Sequence, residues 1–428
     1  MPNNLNREQE RLKKAVDELS ALNQIASAIN ALMSVEEITK IIVDNCVKRI
    51  RATQGAVYLL EEELDDEDKF RTFVREFSKS ADKIPFHLNE SLSGWMIKNK
   101  TILVSNEAAS DGRFRMMKLD KLGINSILAA PLLSRNRLIG SLVLFNKRDE
   151  SGFNDDDKRF LGIVGSQTAK VLENAKLREQ EQELISMREE IKVAQSIQRG
   201  FLPDKGVELD SCEAVGFNTP AKEVGGDYYD IVRLGGERLF LSLGDVSGKG
   251  VPAALLMANA QAVLRSQLLD SDEVPLTRLA RSLNHLICQF TPPEQFITAS
   301  FGIFHSNDKT YRYINAGHEP PIVVRKNGTI EPLTDAGLIL GVMPDYEYEE
   351  YSVKLNSGDL LFVFTDGVTE AFDEQGEEYG ETRVKEFLKK RVGKKASEIG
   401  ADMMTELSRF RGEGVQTDDI TMLILRLF

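Results

Sequence analysis

The sequence is short of several things, and each shortage narrows what the protein can be. It has 3 cysteines in 428 residues, Cys46, Cys212 and Cys288, far apart and in no paired spacing. That pattern excludes a disulfide framework and a cysteine zinc site, and it suits a reducing compartment. No apolar run approaches the roughly 20 residues a membrane helix needs. The first residues, MPNNLNREQERLKK, carry no apolar core of a signal peptide. Positive charge is also scarce: 54 Lys and Arg face 67 Asp and Glu, a net charge of −13, which argues against nucleic acid as the main partner. The expectation is a cytoplasmic protein with neither a membrane nor nucleic acid as partner. The rest of the composition, 42% hydrophobic and 28% charged, is ordinary for a globular protein. A chain this long should divide into two or three domains.

Along the chain, residues 1–33 place Leu5, Leu12, Ala15, Leu19, Leu22, Ala26, Ile29 and Met33 at heptad-like spacing, predicting an amphipathic helix. Residues 34–166 then mix helix and strand patterns: a helix at 36–50, strands at 55–60, 70–77, 101–105, 126–133 and 138–145, and an acidic loop at 61–68. The strings SLSGWMIKNKTILVSNEAASDGRF (91–114) and GINSILAAPLLSRNRLIGSLVLFNK (123–147), with a closing helix after FNDDDKRFL (153–161), resemble a GAF domain, a small-molecule-sensing α/β module. Asn146, Lys147, Phe153 and Asp157 partly match the NK…F…D pattern of its cyclic-nucleotide-binding members. Lys158 stands where that pattern has Glu, so the four residues are read as a lock between strand and helix. His87 and Cys46 supply no Cys–His pair of the kind that tethers a bilin, and a small-molecule ligand of this domain is left open.

Residues 167–202 read as a helical linker within a long polar helix pattern over 158–201. Leu177, Leu184 and Ile191 recur every seven residues, with Met187, Ala194 and Phe201 at the intervening core position and Gln180 its polar exception. That narrow seam suits a two-stranded coiled coil, hence a homodimer through helices; one surface helix on the next domain is the alternative over so few heptads. Gly200 and Pro203 end it. From 203 to 428, strands at 209–218, 228–234, 238–245, 296–305, 310–315, 358–365 and 420–427 enclose helices at 252–268, 275–290, 382–391 and 396–409. That order predicts an α+β sandwich.

Four carboxylate motifs are scattered through this last region: GGD ending at Asp227, LGDV around Asp245, FTDG around Asp366, and QTDD ending at Asp418 and Asp419. Three adjoin apolar strand runs, LFLSL, LLFVF and ITMLIL. Taken singly, each is a turn, a bulge or an exposed pair. Converging at one sheet rim they would repel one another unless cations neutralised them, and hard divalent ions such as Mg or Mn prefer such oxygen ligands. GKG at 248–250 fails as a phosphate loop and reads as a tight turn before a helix opened by Pro252. His318, in NAGHEPP, reads as the structural histidine of a Gly-Pro turn, with a proton donor near the metals as the alternative.

The strings A…IQRGFLP (194–203), EVGGDYYDI (223–231), LGDVSGKGVPAALLMA (243–258), NAGHEPP (315–321), LFVFTDGVTEA (361–371) and QTDDITMLIL (416–425) are similar to the metal-dependent protein serine/threonine phosphatases. They come closest to the bacterial sporulation-protein-E and sigma-B-activator branch. The resemblance implies an α-β-β-α sandwich, so the whole chain is expected to be a multidomain α+β protein with a GAF-like sensor, a helical coiled-coil linker and a phosphatase domain. It also implies two divalent ions, Mn or Mg: Asp227 bridging them, Asp245 and the carbonyl of Val246 beside one, Asp366 and Asp418 beside the other. Asp419 is then an outer residue, although the order of Asp418 and Asp419 could be reversed. The implied reaction is in-line attack of an activated water on a phosphoserine or phosphothreonine, switched by helix rearrangement. An anti-sigma-factor antagonist is the implied protein substrate. The alternative is a dimeric sensor whose phosphatase-like domain binds a phosphoprotein without turning it over.

Overall fold

The computed structural model describes residues 33–60, 70–76, 89–114, 119, 123–269, 275–292 and 294–428. The helix expected over 1–33, His87 and the acidic loop at 61–68 lie outside the described residues, Met33 apart. The chain divides into two units, Met1–Ser186 and Met187–Phe428.

In the first unit, helix α1 (Val35–Ile50) starts at a capping box: Ser34 accepts from the Glu37 N–H while Glu37 accepts from the Ser34 N–H. Its face of Ile38, Ile42, Val43, Cys46, Val47 and Ile50 is buried, as the 3.6-residue period requires. Strands β1 (Ala52–Leu60), β2 (Phe70–Glu76), β3 (Leu103–Ser105), β4 (Ile127–Ser134) and β5 (Arg137–Lys147) form an antiparallel sheet in the order β2-β1-β5-β4-β3, with helix α2 (Asn89–Asn99) between β2 and β3. The lock read at Asn146 is present. Asn146 has φ +52°, and its side chain accepts from the Asn125 N–H at 2.7 Å and donates to the Gly123 carbonyl at 2.7 Å. Lys147 and Asp157 form a buried ion pair at 2.7 Å.

Helix α3 (Asp155–Arg199) is 45 residues long. Its first turns bury Phe160, Leu161, Val164, Ala169, Leu172 and Ala175 against α1 and the sheet. The expected boundary at 166 therefore falls inside a continuous helix. Farther along, Leu177, Leu184 and Met187 are 56%, 57% and 60% exposed.

The second unit contains two central sheets. One runs β14-β11-β10-β9-β8, from β8 (Tyr228–Leu234), β9 (Arg238–Val246), β10 (Ile297–His305), β11 (Thr310–Ala316) and β14 (Tyr351–Lys354). The other runs β13-β12-β15-β16-β7-β6, from β6 (Val207–Leu209), β7 (Cys212–Thr219), β12 (Ile322–Val324), β13 (Ile330–Pro332), β15 (Leu360–Phe364) and β16 (Ile420–Leu427). The run expected as one strand over 209–218 is the hairpin β6–β7, and the short strands β12, β13 and β14 carried too little pattern to be read.

Period-2 alternation sorts the side chains into three cores. Leu239, Leu241 and Leu243 of β9 meet Leu361, Val363, Leu423 and Leu425 between the sheets. Phe240 on the opposite face packs under α4 (Val251–Leu269) and α5 (Leu276–Phe290). Phe362, Phe364, Met422 and Ile424 pack under α7 (Gly380–Lys389) and α8 (Ala396–Arg411), with the single turn α6 (Asp366–Thr369) directly after β15. The result is an α-β-β-α sandwich. Each fully buried Leu, Ile or Phe contributes roughly 1.5–3 kcal/mol, so both faces of both sheets are held firmly and their ends become a fixed frame.

Candidate active site

The alternation that fills the space between the sheets also fixes what stands at its rim. Asp245 continues the inward face of Leu239, Leu241 and Leu243. Thr365 continues that of Leu361 and Val363, and Thr421 and Asp419 continue that of Leu423 and Leu425. Asp227 precedes Tyr228 on the inward parity of β8. Asp366 begins α6 and Asp418 precedes β16. Four segments distant in sequence thus bring their carboxylates to one end of the sandwich.

Hydrogen bonds give each a different task. Thr365 Oγ1 donates to Asp227 Oδ2 at 2.8 Å and accepts from the Thr421 N–H at 3.1 Å. Asp419 Oδ1 accepts from the Ala221 N–H at 2.7 Å; its Oδ2 accepts from the N–H groups of Gly226 at 2.8 Å and Asp227 at 3.3 Å. Asp419 is therefore the buried anchor of the turn that presents Asp227. Glycine is required there: a Cβ at Gly226 would come within 2.7 Å of the Val246 carbonyl oxygen, and one at Gly225 would be driven into the Asp419 carboxylate. The Val246 carbonyl is thereby brought close beside the Asp227 turn.

Burial raises the pKa of Asp227 well above the ordinary carboxylate range, and the negative charges of Asp245 and Asp419 raise it further. Asp245 is pushed up to about 6, by burial first and then by Asp366. Asp366 is raised by burial and by Asp418. Among the described residues, no three His, Cys, Asp or Glu side chains are gathered closely enough to hold an ion as they stand. The carboxylates are near enough to destabilise one another's charge, while Asp227 is also bonded to Thr365 and Asp418 to Lys249. Hard oxygens of one sign, with a backbone carbonyl alongside, are the donor set a divalent cation suits.

Two further residues take part: Gln198, which sequence reasoning passed over, and Lys249, which it read only as part of a tight turn. Gln198, at the end of α3, grips Gly225 twice: its Nε2 donates to the Gly225 carbonyl at 2.7 Å and its Oε1 accepts from the Gly225 N–H at 3.2 Å. Only its place beside the IQRGFLP string hinted at it. Lys249 Nζ donates to Asp418 Oδ2 at 2.8 Å. His318 is structural as read: burial lowers its pKa to about 4, and its ring nitrogens bond Thr298 Oγ1 and the Phe364 carbonyl at 2.8 and 3.0 Å.

The comparisons with known proteins agree with this architecture. Residues 33–173 match the GAF domain family model. Residues 235–428 match the stage II sporulation protein E (SpoIIE) model, a stretch that includes Asp245, Asp366 and Asp418 and begins just after Asp227. The chain is 29% identical over 255 residues to the phosphoserine phosphatase RsbU of Bacillus subtilis, covering 59% of this chain and 74% of that protein. It is 30% identical over 261 residues to protein IcfG of Synechocystis sp., covering 55% of this chain and 41% of that one. Among solved structures, the SiaA-PP2C domain of Pseudomonas aeruginosa superposes with a TM-score of 0.50 at 20% identity, covering 57% of this chain and 98% of that one, which shows the fold. Among the described residues no helix is long and apolar enough to cross a membrane. The chain thus joins a region that matches the GAF domain model to a protein serine/threonine phosphatase domain that is similar to stage II sporulation protein E and to RsbU.

Proposed function

We propose that the second unit hydrolyses phosphoserine or phosphothreonine on a partner protein, with Asp227, Asp245, the Val246 carbonyl, Asp366 and Asp418 holding two divalent cations, Mn or Mg. The observation that carries this reading is the convergence of Asp227, Asp245 and Asp366 at one rim, where burial and neighbouring carboxylates raise all three pKa values. Such ions supply Lewis-acid polarisation of the phosphoryl oxygens and acidify the attacking water. The chain's own residues do the positioning. Asp419 and Gln198 hold the turn before Asp227, Thr365 fixes the rotamer of Asp227, and Gly226 lets the Val246 carbonyl approach. Cys212 is buried in the sheet, where burial pushes its thiol to about 11, so it is no nucleophile.

The substrate class we favour is a phosphorylated anti-sigma-factor antagonist. Kinship with RsbU supports a partner in sigma-factor control. We also propose that input reaches the site through the GAF domain and α3, and that the exposed heptad residues of α3 pair two copies as a coiled coil. The bond from Gln198 to Gly225 supports the first of these, because it ties the last turn of α3 to the turn before Asp227. The test is phosphate release from an aryl phosphate with Mn present. Wild type should turn over, while Asp227→Asn and Asp366→Asn should lose at least about 100-fold. Inactive wild type, or undiminished variants, would return the domain to a phosphoprotein-binding role.

A further inference from the structure

Lys249 has no task in the chemistry proposed above, yet it sits on one of the carboxylates assigned to a cation. Its Nζ donates to Asp418 Oδ2 at 2.8 Å and to the Thr417 carbonyl at 2.7 Å. The other oxygen, Asp418 Oδ1, accepts from the Asp419 N–H at 2.9 Å. Both oxygens of Asp418 are thus engaged, one by the backbone and one by a full positive charge. An ammonium and a divalent cation on the same oxygen would stand within a few ångström of each other. At that separation their repulsion exceeds what a partly exposed ion pair contributes.

The lysine is placed where it can leave. Its side chain is 44% exposed and that of Asp418 32% exposed, so solvent can receive the amine. It is flanked by Gly248 at φ +92° and Gly250 at φ +82°, and a Cβ at either glycine would meet no neighbour. Glycines in open space let the turn change its backbone angles at little cost. Side-chain packing therefore does not hold Lys249 in place; Asp418 and the Thr417 carbonyl do.

We propose that Lys249 is an internal counter-ion that competes with the divalent cation for Asp418 and so sets how much free cation the site needs. The inference rests on the reading of Asp418 as a cation-holding residue. While no cation is bound, the amine relieves the repulsion between Asp418 and Asp366. When a cation takes Asp418, the amine must move off that oxygen. Lys249 is a positioning residue of the site, acting through Asp418.

The experiment uses the full chain stripped of metal and titrated with Mn by calorimetry, for wild type, Lys249→Met, Lys249→Gln and Lys249→Arg. Removing the charge should tighten apparent Mn affinity by about two- to tenfold, the range expected for a partly exposed ion pair plus the lost repulsion. Lys249→Arg, which keeps the charge, should stay near wild type. The Mn concentration for half-maximal aryl-phosphate hydrolysis should fall by the same factor in the two neutral variants. Unchanged or weaker Mn affinity in both neutral variants would overturn the proposal. A raised KM for the aryl phosphate at unchanged Mn affinity would overturn it too, making Lys249 a substrate-holding residue. Failure of the phosphatase reading is distinguishable, because wild type itself would then neither bind Mn nor release phosphate.

Discussion

Asp418 and Asp419 are adjacent, chemically identical and opposite in role on the reading proposed here, so exchanging each for its amide is the sharpest test available. Asp419 accepts two short bonds from the Ala221 and Gly226 N–H groups, at 2.7 and 2.8 Å, and a longer one from Asp227. Asp419→Asn keeps one oxygen and turns the other into an NH2 group facing a backbone donor. Charge-assisted bonds contribute about 1.5–3 kcal/mol each. The variant should therefore lose roughly 2–4 kcal/mol. Relief of repulsion offsets little of this, because Asp419 ranks behind burial and Asp245 among the causes raising Asp227. For a unit of this size 1 kcal/mol shifts Tm by about 2–4 °C, so melting should fall by roughly 4–16 °C. Asp418 is partly exposed and, among the described residues, its side chain pairs with Lys249 and the Asp419 N–H. Asp418→Asn should cost no more than about 1 kcal/mol of stability. Its apparent Mn affinity and kcat/KM should nevertheless collapse, the latter by about 100-fold or more. Thermal melts of metal-stripped protein, with Mn calorimetry on the same samples, read both quantities. If Asp419→Asn melts with wild type but loses Mn, and Asp418→Asn does the opposite, the assignment is reversed and this reasoning is wrong.

Other expectations follow from the same geometry. Gly225→Ala should drive its methyl group into the Asp419 carboxylate, lowering Tm by several degrees and weakening Mn binding; an unchanged melt would show that the turn is slack. Gln198→Ala deletes two bonds to Gly225 and should lower kcat severalfold while leaving KM for an aryl phosphate unchanged; a rise in KM alone would contradict a positioning role. His318 is held at about 4 by burial against an ordinary value of 6.5. The unfolded chain therefore takes up its proton first as pH falls. The stability His318 contributes is complete above pH 6.5 and declines toward pH 4, by about 3 kcal/mol at most. His318→Gln should show a shallower loss of Tm between pH 7 and 4.5 than wild type. Leu177→Glu with Leu184→Glu puts charge on the exposed heptad face and should convert a dimer to a monomer by light scattering, with no fall in Tm; a wild-type monomer would remove the coiled coil.

Much of the fold was legible because its elements carry strong periods. The inward and outward alternation of Leu239 to Leu243, and of Ile420 to Leu427, is what two buried sheet faces impose. Strands of three or four residues such as β12, β13 and β14 have no room for a period. The break between β6 and β7 turns on residues 210–211, which no hydrophobic pattern marks. At the site, strand ends located the aspartates, and counting parity further would have placed Asp419 and Thr365 on the inward face beside Asp227. Gln198 and Lys249 were not legible in the same way. Each reaches the site through bonds across the fold, Gln198 to Gly225 and Lys249 to Thr417 and Asp418, and local periodicity carries no signal of such bonds.

Those two residues also bear on why the carboxylates lie close without closing around one point. A buried cluster of like charges is unstable unless something neutralises it, and Asp227 and Asp418 are restrained by different parts of the chain. Asp227 is held by Thr365 and by a turn that Asp419 and Gln198 fasten; Asp418 is held by a lysine in a glycine-flanked loop. Releasing a single restraint therefore shifts a single carboxylate. Gln198 is at the end of a helix that begins in the GAF unit, so a change in that helix acts first on the turn before Asp227. On the proposed role of Lys249, a change in cation concentration would act first on Asp418. On the function proposed above, the two inputs would meet only when both carboxylates are in place, and hydrolysis would be conditional on both signals at once.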